Sequence, residues 1–321
     1  MPLRTERPTG VMPYPTTILA GAKGTGKTFQ IAKASASPLV DRTFVLTLGE
    51  ERPDAFLAVE GARFEMVVHD GTIQDIIEQV REVREVERRD DRPHLFALDS
   101  VTAIWNLLLE QGQTAANRRA QLQAQRQRAA APTGNVKLEG QDWDALRRDW
   151  GTLLNLVRTM NGPSILTARL EEALVTTGGE MTTEKVWRMR ADPNLGYEVT
   201  SVVEMSRRGE FTLTKHNDPL ALFAGARSWP DFTMHAYWAD MGLGHREFTT
   251  RTVESGHVDP SLREDATGRD WVAEMAGVTK SGAARLLIAT ARGANADSGT
   301  IAQLEAAAAA LEQAPQTVTS E

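Results

Sequence analysis

Residues 16–28 read Thr16-Thr17-Ile18-Leu19-Ala20-Gly21-Ala22-Lys23-Gly24-Thr25-Gly26-Lys27-Thr28. An apolar β run (16–21) feeds directly into the pattern G-x-x-x-x-G-K-[ST] (21–28), and a helical pattern follows to about Ala36. Strand, glycine-rich turn and helix in that order make a phosphate cradle, because backbone N–H groups and the positive end of the helix converge on one anion. Gly21, Ala22, Lys23, Gly24, Thr25 and Gly26 are the candidates to wrap the phosphates. Lys27 reaches the β- and γ-phosphates and Thr28 holds Mg²⁺. The motif implies a nucleoside triphosphate ligand and an α/β fold built around it.

Working outward, apolar strand-like runs alternate with helical patterns. TFVLTLGE (43–50), FEMVVHD (64–70), HLFALDS (94–100) and PSILTAR (163–169) are the further strands. Thr72 precedes Ile73, Ile76, Ile77, Val80 and Val83, which share one helix face; Trp143, Leu146, Trp150, Leu153, Leu154, Val157 and Met160 share another, closed by Asn161-Gly162-Pro163. Such alternation predicts a mostly parallel central sheet flanked by helices. Residues 197–218 differ, with two β runs around Arg208-Gly209 that predict a terminal hairpin. The organisation expected is an N-terminal arm (1–15), an ATPase-like core (16–218), an irregular extension (219–259) and a small helical tail (260–321), with helices at Trp271–Arg292 and Ser298–Glu312. The tail's apolar face is expected to comprise Trp271, Val272, Met275, Leu286, Leu287 and Ile288.

The chain has 321 residues and a formal net charge of −7, so a polyanion site has to be a local patch rather than a global field. It has no cysteine, which excludes disulfides, thiolate zinc sites and cysteine nucleophiles. The six histidines show no metal-ligand spacing. No apolar run approaches the ~20 residues that span a bilayer, and no signal peptide opens the chain, so a soluble cytoplasmic protein is expected. The local basic patch is at 112–140, where Arg118, Arg119, Arg126, Arg128 and Lys137 face one acid, Glu139. It reads either as a solvated helix face or as a phosphate contact.

Asp99 closes a buried strand and is the candidate second metal-side group, its other reading being an N-cap for the next helix. Glu50 and Glu51 follow the 43–48 strand, expected beside the P-loop strand, and either can orient water. Thr167 and Arg169 close the fifth strand, where ligand-facing groups collect in open α/β sheets.

GAKGTGKT, LGEERPDAF, HLFALDS, QDWDALRRDWGTLLNLVRTM, SILTARLEE and VVEMSRRGEFTLTKHND together resemble the RecA-core ATPases, most closely the phage Sak-type single-strand-annealing ATPases with one RecA-like domain. The resemblance spans about residues 12–218. It implies ATP as the nucleotide, single-stranded DNA as partner, self-assembly, a single-strand-binding protein as a further partner, and work in the host cytoplasm. It places the catalytic glutamate at Glu50 and a polar sensor at Thr167, where RecA itself has Asn or Gln. Lys215 falls where relatives reach into the neighbouring subunit's ATP. The DNA-facing loops fall at about 112–140 and 170–186, the second flanked by Lys185, Trp187, Arg188 and Arg190. A RecA-core motor or switch acting on a protein or on duplex DNA would carry the same core motifs. A P-loop small-molecule kinase is a third reading, disfavoured by the terminal hairpin and the missing Arg-rich lid.

Overall fold

The computed structural model describes residues 7–49, 53–130, 132–177, 180–218, 225–251, 271–278, 281–293 and 298–313. The chain divides into two compact units, 1–253 and 254–321.

In the first unit β1 (Met12–Pro13) and β2 (Thr16–Gly21) lead into α1 (Lys27–Ser35), followed by β3 (Thr43–Thr47), β4 (Glu65–Met66), α2 (Ile73–Glu85) and β5 (Leu95–Asp99). Two long helices come next, α3 (Val101–Gln127) and α4 (Gly140–Arg158). The chain then forms β6 (Ser164–Thr177), β7 (Glu180–Met189), α5 (Leu195–Glu198), β8 (Ser201–Arg207), β9 (Glu210–His216), β10 (Arg227–Ser228), α6 (Met234–Asp240) and β11 (Phe248–Thr249). The main sheet runs β10-β9-β8-β2-β6-β5-β3-β4, with β7 attached to β6 alone. Its centre is parallel, and the β8–β9 hairpin turns at Arg208-Gly209 as expected, Gly209 taking φ +87°. Both faces of the sheet are covered. Ile18, Ala20, Phe96, Leu98 and Leu166 pack with α2, α3 and α4, while Leu19, Val45, Ala97, Ile165 and Val203 pack with α1 and α6.

In the first unit four expectations change. The β3 strand does not adjoin the P-loop strand: β6 and β5 lie between them, because β2 pairs with β6 and β8. The 64–70 run is only a two-residue edge strand, and Val68 is exposed. The segment 170–186 is not a loop, because β6 continues unbroken past Arg169 and pairs antiparallel with β7 to make a two-stranded arm. Finally, residues 225–251, within the expected irregular extension, are ordered and packed on the core. Phe232, Tyr237 and Trp238 are fully buried beside α1, Thr233 caps α6 by accepting from the Ala236 N–H, and β11 pairs with β1. The compact unit therefore runs on to Val253 rather than stopping at 218.

The second unit holds α7 (Trp271–Ala276), α8 (Ser281–Gly293) and α9 (Ser298–Gln313) around Trp271, Met275, Ala284, Ile288, Ala291 and Leu304. The helix expected over Trp271–Arg292 breaks after Ala276, where Gly277 and Val278 turn back onto Glu274 and Met275. Val272 and Leu286, expected on the apolar face, are exposed. No helix among the described residues is long and apolar enough to cross a membrane.

Candidate nucleotide site and its flanking arms

The phosphate cradle forms where β2 meets α1. Gly24 and Gly26 hold φ of +82° and +99°, a left-handed geometry that only glycine adopts without strain. Gly21 answers a different need. A Cβ there would meet Thr25 Oγ1 at 2.5 Å and the Met205 carbonyl oxygen at 2.7 Å, so the loop closes against β8 only without a side chain. The Lys27 ammonium curls back and donates to the Gly21 and Ala22 carbonyls, both at 2.9 Å. Thr25 Oγ1 donates to the Ala22 carbonyl at 3.0 Å.

Asp99 is buried at the end of β5. Its N-cap reading fails, because Ser100 caps α3 by accepting from the Ala103 N–H. The carboxylate instead accepts from two hydroxyls: Thr28 Oγ1 donates to Oδ2 at 2.7 Å, and Thr167 Oγ1 donates to Oδ1. The sequence-predicted trio Thr28, Asp99 and Thr167 is thus one cluster on three elements. Its donors are all hard oxygens, the set that suits Mg²⁺.

Around this cluster lies a cleft of ≈ 230 Å³ bounded by Lys23, Lys27, Thr28, Asp99, Arg169 and Arg208. Arg169 of β6 donates to the Gly49 carbonyl at 3.2 Å, reaching past β5 to the segment that follows β3. Glu50, the expected water-activating residue, and Glu51 lie outside the described residues. Arg208 was legible only as a turn residue. The hairpin carries it to the cleft, where its guanidinium stands 5.5 Å from the Phe29 ring centroid. Phe29 and Phe56, also unforeseen, give the cleft its apolar wall.

Residues 14–228 match the AAA domain family. The chain belongs to that family. No curated protein matches this AAA domain. Among solved structures it is similar to the RadB recombinase (14% identity, 70% of this chain and 90% of that one, TM-score 0.38). It is also similar to a type III secretion system ATPase of pathogenic bacteria (12%, 92% and 80%, TM-score 0.34) and to the flagellar accessory protein FlaH of Methanocaldococcus jannaschii (13%, 69% and 92%, TM-score 0.23). The AAA domain here has a mostly parallel central sheet flanked by helices, with the P-loop joining β2 to α1.

Several expected contacts of the AAA domain are already spent. Lys215 donates to the carbonyls of Gly196 (2.7 Å), Tyr197 (3.1 Å) and Val199 (2.8 Å), tying down the end of α5. Its cross-strand partner Val202 pairs with Ile18, so it also sits towards the end of the sheet away from the P-loop. Arg119, expected on DNA, donates bidentately to Asp142 at 2.7 and 2.8 Å and braces α3 against the start of α4. The sequence cue was the capping box in which Glu139 and Asp142 serve each other's backbone. Lys185 pairs with Glu172 at 2.8 Å across the β6–β7 arm. Arg118 and Arg126 share one face of α3 along a groove of ≈ 840 Å³, two turns apart. Arg128, Lys137 and Arg188 are exposed.

The Arg119 brace has a pH signature. Its hydrogen bonds, with help from the Glu139 N–H, hold the Asp142 carboxyl down at about 2. An unfolded aspartate titrates near ~3.9, so the contribution is fully present above that value and is lost as pH falls from there towards 2. Arg119→Ala should release the carboxyl upward. The stability gap between wild type and variant should then be constant above about pH 5 and shrink below about pH 4. Acid unfolding followed by circular dichroism tests this, and a gap that ignores pH would show that the pair contributes nothing.

Proposed function

We propose that this AAA domain is an ATP-dependent, single-stranded-DNA-binding recombinase or annealing protein of the phage type, working as an oligomer. The observation that carries the reading is the placement of the two arms. β6 passes Arg169 at the nucleotide edge of the sheet and becomes the β6–β7 arm, while α3 starts beside Asp99 at that same edge. Beyond Leu108, α3 buries only Ala116 and Ala124 and carries Arg118 and Arg126 outward with α4 beside it. A strand held by these arms would lie in direct continuity with the phosphate site.

In this reading Lys27, Arg169 and Arg208 offset the triphosphate charge, and Thr28 with Asp99 would hold Mg²⁺, which when bound shields the β- and γ-phosphate oxygens. Thr167 fixes the Asp99 carboxylate. Glu50 orients the attacking water. A role for Lys215 in a neighbour's site requires its ammonium to exchange three backbone carbonyls for phosphate oxygens, so it would act only in the assembled state. A single-strand-binding protein is the expected protein partner.

The test is ATP turnover with and without single-stranded DNA, with duplex DNA as control. Single strands should raise turnover several-fold, and the Arg118→Ala, Arg126→Ala double variant should lose most of that rise. Its binding should also be less salt-dependent by about 1.4 in the log–log slope, at ~0.7 per phosphate contact. Turnover indifferent to DNA would favour the alternative, an ATPase switch or motor whose client is a protein. Equal stimulation by duplex would favour a duplex motor.

A further inference from the structure

A second, smaller pocket lies at the root of the β6–β7 arm. It holds ≈ 130 Å³ and is bounded by Ala22 of the P-loop, Leu170, Trp187, Glu204, Ser206 and Thr212. At ~30 Å³ per water that is space for about four waters or one planar ring. Trp187 is 58% exposed, so its indole is not core packing. Strand alternation puts it on the same face of the arm as Leu170, its neighbour Lys185 and the cross-strand Glu172. Opposite stands Glu204 on β8, paired in register with Ala20 of β2 and Thr212 of β9. No cation among the described residues forms an ion pair with Glu204. Burial pushes its carboxyl upward, partly opposed by a hydrogen bond from Thr214.

We infer that this pocket is a subsite for a single nucleobase carrying an exocyclic amino group, stacked on Trp187 and hydrogen-bonded along its edge by Glu204. The inference rests on the single-strand reading above and adds base selectivity to it. An acid with no cation partner among the described residues makes the pocket a poor seat for phosphate, whereas a neutral base meets both walls: its ring face covers the indole and its polar edge meets the acid. Cytosine and adenine present an amino donor beside a ring-nitrogen acceptor. A carboxylate accepts from the amino group, and a protonated carboxyl also donates to the ring nitrogen. Thymine flanks its single N–H with two carbonyls that repel the acid. Lys185 lies two residues along the same face, and its exposed pairing with Glu172 is weak enough to be exchanged for a backbone phosphate. Because Ala22 belongs both to this pocket and to the P-loop, an inserted base touches the phosphate cradle directly.

The experiment compares binding of oligo(dC), oligo(dA) and oligo(dT) of equal length to the full chain, together with free deoxycytidine as competitor. Wild type should prefer dC and dA over dT by roughly tenfold. Glu204→Ala should erase the preference, and Glu204→Gln, whose amide still accepts from an amino group, should keep part of it. Trp187→Ala should weaken all three tracts by roughly tenfold. Equal binding of the three tracts, unmoved by either substitution, would overturn the subsite and leave the single-strand reading standing. Binding of none of them would sink both. Capture of free deoxycytidine without any of the oligomers would show a small-molecule base site instead of a strand contact.

Discussion

Lys27→Ala should lower ATP turnover at least 100-fold while leaving the fold intact. The Lys27 side chain is nine-tenths buried and donates to the Gly21 and Ala22 carbonyls. A triphosphate offers the same ammonium negatively charged oxygens, so that each hydrogen bond is also an ion pair. Losing one electrostatic donor of this kind costs about 10²–10³ in rate. Alanine is the best helix former and Lys27 is the first residue of α1, so the melting temperature without nucleotide should hardly move. What should vanish is the stabilisation that a non-hydrolysable ATP analogue confers, which grows with ligand excess over Kd. Thermal melts with and without the analogue read both quantities at once. A variant still stabilised by the analogue, with normal turnover, would place the phosphates elsewhere.

Among the glycines of the described residues, Gly162→Ala should produce the largest loss of stability. Gly162 sits in the stop signal after α4, and a Cβ there would come within 1.9 Å of the His94 carbonyl oxygen and 3.0 Å of its carbon. The obstacle is backbone and cannot swing aside. Leu95 donates to the Arg42 carbonyl at 2.8 Å and Phe96 to the Pro163 carbonyl at 3.2 Å, so making room means parting β5 from β6 where their pairing starts. Overpacking against a fixed frame costs about 3 kcal/mol, or roughly 6–12 °C in Tm for a domain of this size. Gly151→Ala is the matched control: it lies inside α4 with nothing near the added carbon, and should gain about 0.5–1 kcal/mol. Equal melting of the two variants would refute the close approach.

The geometry of the candidate nucleotide site was legible because its information is local. A strand, a glycine pattern and a helix are contiguous in the chain, and Asp99 follows a four-residue apolar run that can only be a buried strand. Strand order was not legible in the same way. Whether β3 or β6 lies beside β2 depends on which helices cover which face, and nothing within the 43–48 run records that. The β6–β7 arm did leave a trace, since Leu170, Glu172 and Leu174 alternate with Glu171 and Ala173 and mirror Lys185, Trp187 and Met189. The resemblance placed a DNA-facing loop there, yet charged residues are also what an arm exposed on both faces requires. Arg119 shows the opposite problem. Counted by charge it joins Arg118 and Arg126, but helical geometry turns it towards Asp142, 23 residues later, and only the paired helices reveal the difference. Arg208 and Glu204 come to their pockets through hairpin register, which no local pattern encodes.

Mechanically, β6 makes the Asp99 neighbourhood and the arm a single rod. Thr167 and Leu174 lie on the same unbroken strand, ~23 Å apart at ~3.3 Å per residue, and an extended chain has no slack to give up. At Thr167 the rod is clamped by pairing with Leu19 of β2, and farther out only β7 holds it. If a polymer is gripped by the arm, tension on it arrives at the Thr167 hydroxyl as displacement instead of being dissipated in a floppy tether. Turnover would then act as a strain gauge for the bound strand.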